Sequence, residues 1–149
     1  MARIVSLNVS TSKGIGKKPV TEVVVRPAHG IEGDAHAGPW HRQVSLLASE
    51  SIEKMRTQGL TLAPGDFAEN ITTEGLELAA LPVGTRLAVG EVELEITQIG
   101  KKCHTKCRIF QQVGNCIMPT EGIFAKIIRG GTLKAGQTIE IGKSPNMAR

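Results

Sequence analysis

Short runs of β-favouring residues, separated by glycine and other turn residues, constrain the fold of this chain more than any other feature. Glycine is frequent, with 17 occurrences, and turn signals recur along the sequence. Eight runs have the composition of strands: residues 3–9, 21–26, 43–47, 69–73, 86–89, 92–99, 122–128 and 137–141. Many short strands broken by turns are typical of barrels and sandwiches. The pattern predicts a mostly β protein (a β-rich α+β fold) with a curved or closed, barrel-like sheet.

Local signals add one hairpin and two helices to this outline. Gly90 and Glu91 form a two-residue connection between the strands 86–89 and 92–99, which suits a hairpin. One main helix is predicted over residues 49–58, where Ser49 or Ser51 can cap the first turn. A second, short helix is expected near residues 76–80. These helices are accessory to the sheet.

The length and composition indicate a single domain over residues 1–142, followed by a loose tail at 143–149. No apolar run approaches the roughly 20 residues that span a bilayer, and the first residues make a poor signal peptide. We therefore expect a cytoplasmic protein without a membrane partner. The net charge is +4, but aromatic residues are only 3%, which leaves little for base stacking. A small anionic ligand is expected in place of nucleic acid, and the oligomeric state stays open.

All three cysteines of the chain lie in one 14-residue window, just after the predicted strand 92–99. They are Cys103, Cys107 and Cys116. Four cations lie within five positions of the first: Lys101, Lys102, Lys106 and Arg108. Positive charge favours the thiolate, which is the form of cysteine that attacks or binds metal. An odd number of cysteines in a reducing compartment argues against a disulfide framework, so the window is predicted to carry chemistry.

Three interpretations of this window remain open from the residues alone. The first is a thiolate ligand or sulfur carrier at a basic anion pocket. The second is zinc, bound by the set Cys103, His104, Cys107 and Cys116, although the spacing is irregular for a structural zinc site. The third is that the thiols are buried as small hydrophobic groups.

Residues 30–43 form a second candidate segment, with three glycines, two acids, two histidines and an arginine. Histidine can shuttle protons or bind metal, and the planar fork of arginine can grip an anion. The alternative is an ordinary polar loop in which Asp34 closes a turn.

Two further segments carry weaker signals. In residues 64–73, the side chains of Asp66, Glu69 and Asn70 could order a ligand, but structural capping is the favoured interpretation. Residues 13–18 contain glycines and cations without the spacing of a phosphate-binding loop, and a solvated turn is predicted there.

Read in order, several of these segments resemble the MOSC domain, which is named after the C-terminal domain of molybdenum cofactor sulfurases. They are GDAHAG (33–38), RQVSLL (42–47), PGDFAENIT (64–72), LPVGT (81–85), GKKCH (100–104) and GIFAK (122–126). Each motif alone is unspecific, but together they stand in register over residues 4–141, nearly the entire chain.

The resemblance implies a barrel-like fold and a cysteine that ligates molybdenum in the pterin cofactor or carries sulfur to it. Cys103 fits this catalytic and metal-binding role best, and Cys107 is the alternative. The cofactor-binding residues it suggests are Asp34, His36, Arg42, Asn70, Lys101, Lys102 and Arg108. In this interpretation Asp34 orients His36, Asn70 meets the edge of the pterin, and the window's cations hold the phosphate. His36 or Arg42 is expected in the same cleft as Cys103.

The function implied is to bind the molybdenum cofactor, with molybdenum or tungsten, and to carry or transfer the cofactor or its sulfur. Its partners would be proteins of cofactor biosynthesis or acceptor proteins. One alternative is a cofactor-dependent reductase of N-hydroxylated substrates that works with an electron donor, and another is the zinc-binding module. The chain is too short for the aminotransferase-like domain of full sulfurases, so no pyridoxal phosphate site is expected.

Overall fold

The computed structural model describes residues 2–10, 17–57, 65, 67, 69–100 and 122–142. Strands dominate these residues, and the fold class predicted from the sequence is confirmed. The elements are β1 Arg3–Val9, β2 Lys18–Val20, β3 Glu22–Arg26, β4 Gly30–Ile31, β5 Val44–Ala48, α1 Ser49–Arg56, β6 Ile71–Glu74, the 3-10 helix η1 Leu78–Ala80, β7 Arg86–Val89, β8 Val92–Ile99, β9 Ile123–Arg129, β10 Gly131–Lys134 and β11 Glu140–Ile141.

Eight of these strands form one sheet in the order β11-β7-β8-β9-β5-β6-β1-β2, and the other three form a second sheet in the order β10-β3-β4. The large sheet curls into a half-barrel. Its two ends approach each other, because Arg3 of β1 bridges Thr138, which lies just before β11. Backbone bonds between Ile4 and Gln137 and between Ile139 and Ala2 extend this contact.

The centre of the large sheet contains a parallel pair, β5 and β6, beside antiparallel neighbours. Parallel strands need a crossover, and here the connection contains α1. All five residues of β5 are buried, as expected for a strand covered on both faces. The helix buries Ile52 and Met55 against the sheet. β5 is therefore an inner strand of the large sheet, and the loop that precedes it lies at one end of that strand.

The core is built from the inward faces of the strands. In β8 the side chains of Val92, Leu94 and Ile96 are buried, whereas the alternate glutamates are only half-buried. Each fully buried aliphatic side chain contributes about 1.5–3 kcal/mol relative to exposure. On the outer face, Arg86 pairs with Glu93 and Glu95.

Several predictions about individual elements need correction. No side-chain bond caps α1, whose N-cap residue is Ala48, so the predicted serine cap is wrong. The predicted run 137–141 contains only the two-residue strand β11. The strands β2, β4 and β10 were not predicted from the sequence. The predicted tail at 143–149 lies outside the described residues.

The hairpin is confirmed, with Val89 paired to Val92 across the turn and Gly90 at a φ of 59°. The described residues include no helix of sufficient length and apolar character to cross a membrane.

Candidate functional site

The segment between β4 and β5, here called the His36 loop (residues 33–42), is organised by Asp34. Its Oδ2 accepts a hydrogen bond from the backbone N–H of His36 at 3.1 Å, which closes a tight turn. Its Oδ1 accepts one from the backbone N–H of Ser10 at 3.1 Å. The side chain of Asp34 has no exposed surface, whereas that of His36 is 27% exposed. Asp34 is thus internal, whereas His36, two residues later, reaches the surface.

A buried lysine completes this arrangement. Lys17 Nζ lies 2.8 Å from Asp34 Oδ1, 2.9 Å from His36 Nδ1 and 3.3 Å from Ser10 Oγ. Burial by itself would raise the pKa of Asp34, but the hydrogen bond and charge of Lys17, together with the backbone N–H groups, hold that pKa below its usual value. Residues 13–18 were predicted to be a solvated turn, and for Lys17 this is wrong, since its side chain is fully buried.

The motif at 64–72 contacts the backbone of Lys17. The backbone N–H of Lys17 donates to the Gly65 carbonyl at 2.7 Å, and the Gly65 N–H donates to Glu69 Oε2 at 3.0 Å. Gly65 has a φ of 93°, and a Cβ added there would lie 2.0 Å from the Lys17 carbonyl oxygen. Only glycine allows this close approach.

Glu69 itself has no exposed surface. Its Oε2 also accepts a hydrogen bond from the Thr72 hydroxyl at 2.8 Å, while Oε1 has no partner of good geometry among the described residues. Burial raises the pKa of Glu69 more than the hydrogen bonds from Gly65 and Thr72 lower it. A carboxyl in this environment keeps its proton to a higher pH than an exposed glutamate does.

Asn70, a predicted cofactor contact, is also completely buried. Its Oδ1 accepts hydrogen bonds from the N–H and the hydroxyl of Ser45, and its Nδ2 donates to the Asn8 carbonyl at 3.1 Å. Asn70 therefore ties β1 to β5 and presents no surface to a ligand. Its position agrees with the structural alternative raised for this segment.

The C-terminal part of the His36 loop places an arginine near two aromatic rings. Trp40 Nε1 donates to the carbonyl of His36 at 2.8 Å. The guanidinium carbon of Arg42 lies 4.8 Å from the Trp40 ring centre and 5.5 Å from that of Phe124. Arg42 Nε is buried and has no hydrogen-bond partner among the described residues. Cation–π contacts orient the guanidinium, which leaves donor capacity for an anion.

The same loop packs on the ends of β8 and β9. His41 Nε2 lies 2.7 Å from Gln98 Oε1, and the Thr97 hydroxyl donates to the His41 carbonyl. The backbone N–H of Gly100 donates to the Gly122 carbonyl at 2.6 Å. Residues 101–121, which include all three cysteines, connect these two glycines. Both ends of the cysteine segment therefore start beside the His36 loop.

A cleft of about 460 Å³ lies along one side of the loop. Its lining is mainly apolar and consists of Ala28, Pro39, Trp40, His41, Gln43, Lys126, Ile127 and Ile128. Lys126 brings a cation from β9 to this cleft.

Several predicted site residues lie outside the described residues, and their positions stay predictions: Asp66, Lys101, Lys102, Cys103, His104, Cys107, Arg108 and Cys116. Within the part of the chain that the structure describes, no three His, Cys, Asp or Glu side chains are grouped to hold a metal ion. Of the described candidates, Asp34, His36 and Arg42 lie in one loop, whereas Asn70 is buried and bonds to Ser45 and Asn8.

Comparison with known proteins places this arrangement in context. The profile of a family described as MOSC domain matches residues 33–140. The crystal structure of YuaD from Bacillus subtilis is similar with a TM-score of 0.79 at 18% identity, covering 95% of this chain and 96% of that one. YiiM from Geobacillus stearothermophilus gives 0.70 at 19% identity, covering 96% and 76%, and YiiM from Escherichia coli gives 0.63 at 20%, covering 95% and 70%. At these identities the likeness concerns the fold. No curated protein matches the sequence.

Gly65 offers a test of the support beneath Lys17. We expect Gly65→Ala to lower the free energy of unfolding by about 1–3 kcal/mol more than Gly136→Ala does, because the new Cβ would overlap the Lys17 carbonyl. The control is matched, since Gly136 has a φ of 92° but no atom within 4 Å of an added Cβ. Urea denaturation measures both. Equal losses would show that the close approach is not required.

Glu69 offers a test of the buried carboxyl through pH. Its folded pKa is raised above the unfolded value of about 4.3, so its contribution to stability is present below that value and is lost as pH rises through the folded pKa. Glu69→Gln does not titrate and keeps an acceptor for Gly65 and Thr72. Relative to the native protein, this variant should therefore gain stability as pH rises from about 4.5 to 8. A difference in unfolding free energy that stays constant with pH would contradict this, and exposed Glu140→Gln is the control.

Proposed function

This chain belongs to the MOSC domain family, and from that premise we propose that it binds the molybdenum cofactor and carries or hands over the cofactor or its sulfur through Cys103. The family is associated with this cofactor. The observation that carries the proposal is the packing of the His36 loop on the ends of β8 and β9, from which the cysteine segment departs. Two segments about 60 residues apart in sequence thereby have their anchor points side by side.

The described residues fit a planar, anionic group. Arg42 brings a guanidinium whose Nε has no partner among the described residues, and Trp40 brings an aromatic face beside it. Guanidinium groups suit phosphate and other oxyanions because several N–H donors point the same way. His36 adds a half-buried imidazole on the same loop. These three side chains would hold the pterin and its phosphate.

The chemistry would come from the cysteine segment. When bound, the cofactor supplies a soft metal centre that accepts thiolate or sulfide ligands. Cys103 would serve as the thiolate ligand or the bearer of a persulfide, and the cations Lys101, Lys102 and Arg108 would favour its thiolate and contact the phosphate. Cys107 is the alternative thiol. A reductase of N-hydroxylated substrates would use the same binding residues with an electron donor, and no observation favours it over transfer.

The metal content of the protein tests this proposal. Protein made in cells with an intact cofactor pathway should contain stoichiometric molybdenum or tungsten, and Cys103→Ser should lose it while keeping its circular dichroism spectrum and melting temperature. Cys116→Ser is the matched control and should retain the metal. Loss with Cys107→Ser but not with Cys103→Ser would move the role to Cys107.

Zinc makes a contrasting forecast. Zinc bound by all four alternative ligands would be lost together with local stability in any of the three serine variants. In metal-free protein, Cys103 should react with iodoacetamide faster than Cys107 or Cys116 at neutral pH, because its neighbours are cations. Stoichiometric zinc without molybdenum or tungsten, with all three thiols protected together, would overturn the proposal.

A further inference from the structure

Lys17 makes an unusual set of contacts for a lysine, because it is buried and uses all of its donors. An ammonium group has three hydrogens and no acceptor. Its three neighbours, Asp34 Oδ1, His36 Nδ1 and Ser10 Oγ, can each accept one hydrogen bond. The side chains of Lys17 and Asp34 are both 0% exposed, so Lys17 has no surface with which to touch a ligand.

We infer that Lys17 is a positioning residue that fixes the ring of His36 in the Nε2–H tautomer, so that this imidazole acts at the site as a hydrogen-bond donor. A neutral lysine beside a buried aspartate would leave an uncompensated charge, which strongly disfavours that state. The ammonium can only donate, so Nδ1 of His36 must hold a lone pair toward it. In the neutral ring the proton then lies on Nε2.

The usual partner of an oriented histidine is a carboxylate that accepts from Nδ1–H, and that arrangement does not apply here. Asp34 Oδ2 lies 3.9 Å from His36 Nδ1, beyond hydrogen-bond distance. Asp34 acts on the backbone of His36 directly and on its ring through Lys17. The expected role of Asp34 in orienting His36 thus becomes a role shared with a lysine.

This assignment deepens the proposed function and, in its consequence for binding, rests on it. A ring fixed as the Nε2–H tautomer suits a ligand atom that accepts a hydrogen bond, such as a phosphate oxygen or a pterin carbonyl. It does not suit a general base, which needs a basic nitrogen toward the reacting proton. The structure therefore assigns His36 the role of donating a hydrogen bond from Nε2 to a ligand atom, while Lys17 holds its Nδ1.

The tautomer can be read directly in the metal-free, full-length protein. With ¹⁵N-labelled histidine, long-range ¹H–¹⁵N correlation spectra distinguish the two neutral tautomers, and His36→Gln identifies the signals of this ring. We expect His36 as a single Nε2–H species at neutral pH. An Nδ1–H ring, or an equal mixture, would overturn the inference whether or not the protein binds a cofactor.

A double substitution tests the part played by Lys17. Lys17→Met with Asp34→Asn removes both charges together, which avoids a lone buried charge. In the folded variant His36 should become a mixture of tautomers, whereas Lys18→Met, at the exposed neighbour, should leave the single species unchanged. If the variant does not fold, the spectrum of the native protein still decides the assignment.

Metal retention separates the inference from the proposed function. In protein from cells with the cofactor pathway, the double variant should bind molybdenum or tungsten about tenfold more weakly than Lys18→Met, because one ordered hydrogen bond to a charged group is lost. Equal retention would overturn the role of Lys17 in binding. Absence of both metals from the native protein would defeat the proposed function and leave the tautomer result standing.

Discussion

The buried ion pair between Lys17 and Asp34 is the interaction on which the arrangement of the site depends. Two charges removed from water cost several kcal/mol each, and they are tolerated only where geometry and additional hydrogen bonds compensate. Here the remaining donors and acceptors are satisfied by Ser10 and His36. Removing one partner alone would leave an uncompensated charge, at a cost of about 3–5 kcal/mol. The conformation of the His36 loop follows from the need to satisfy this pair.

The polar motif at 64–72 supports the ion pair, and its residues Glu69 and Asn70 have no exposed surface. Both lie inside the sheet, where their side chains bond to backbone groups of Gly65, Ser45 and Asn8. Buried polar groups linked in this way are costly when unpaired and specify one arrangement when paired. Two motifs that each carry two acidic residues and at least one glycine thus have different roles: one forms the candidate site and the other supports it.

Strands that form an uninterrupted run of β-favouring residues could be predicted from the sequence, whereas strands that contain proline or glycine could not. The bounds of β1, β7 and β8 agree with the prediction because each run carries its own pattern of buried and exposed residues. The strands β2, β4 and β10 have two to four residues and contain Pro19, Gly30 and Gly131, which weaken any local strand signal. Only their partners in the folded sheet define them. The parallel pairing of β5 and β6 likewise depends on the path of the chain through α1.

The same distinction between local signals and distant partners applies to the residues of the candidate site. The histidines and the arginine of the His36 loop indicate a binding segment from the sequence alone. Lys17, in contrast, lies among glycines and lysines in a stretch that resembles a solvated turn. The burial of Lys17 depends on the carboxylate of Asp34, 17 residues away, and cannot be predicted from the residues next to it. In the proposed function the burial of Lys17 matters, because a binding group is effective only when a second set of residues fixes its orientation. A backbone hydrogen bond joins Gly100 and Gly122, the two residues that flank the cysteine segment. Gly122 lies two residues before Phe124, whose ring contacts Arg42. In the proposed function, the His36 loop and the pair Gly100 and Gly122 would therefore mark the two sides of the cofactor site.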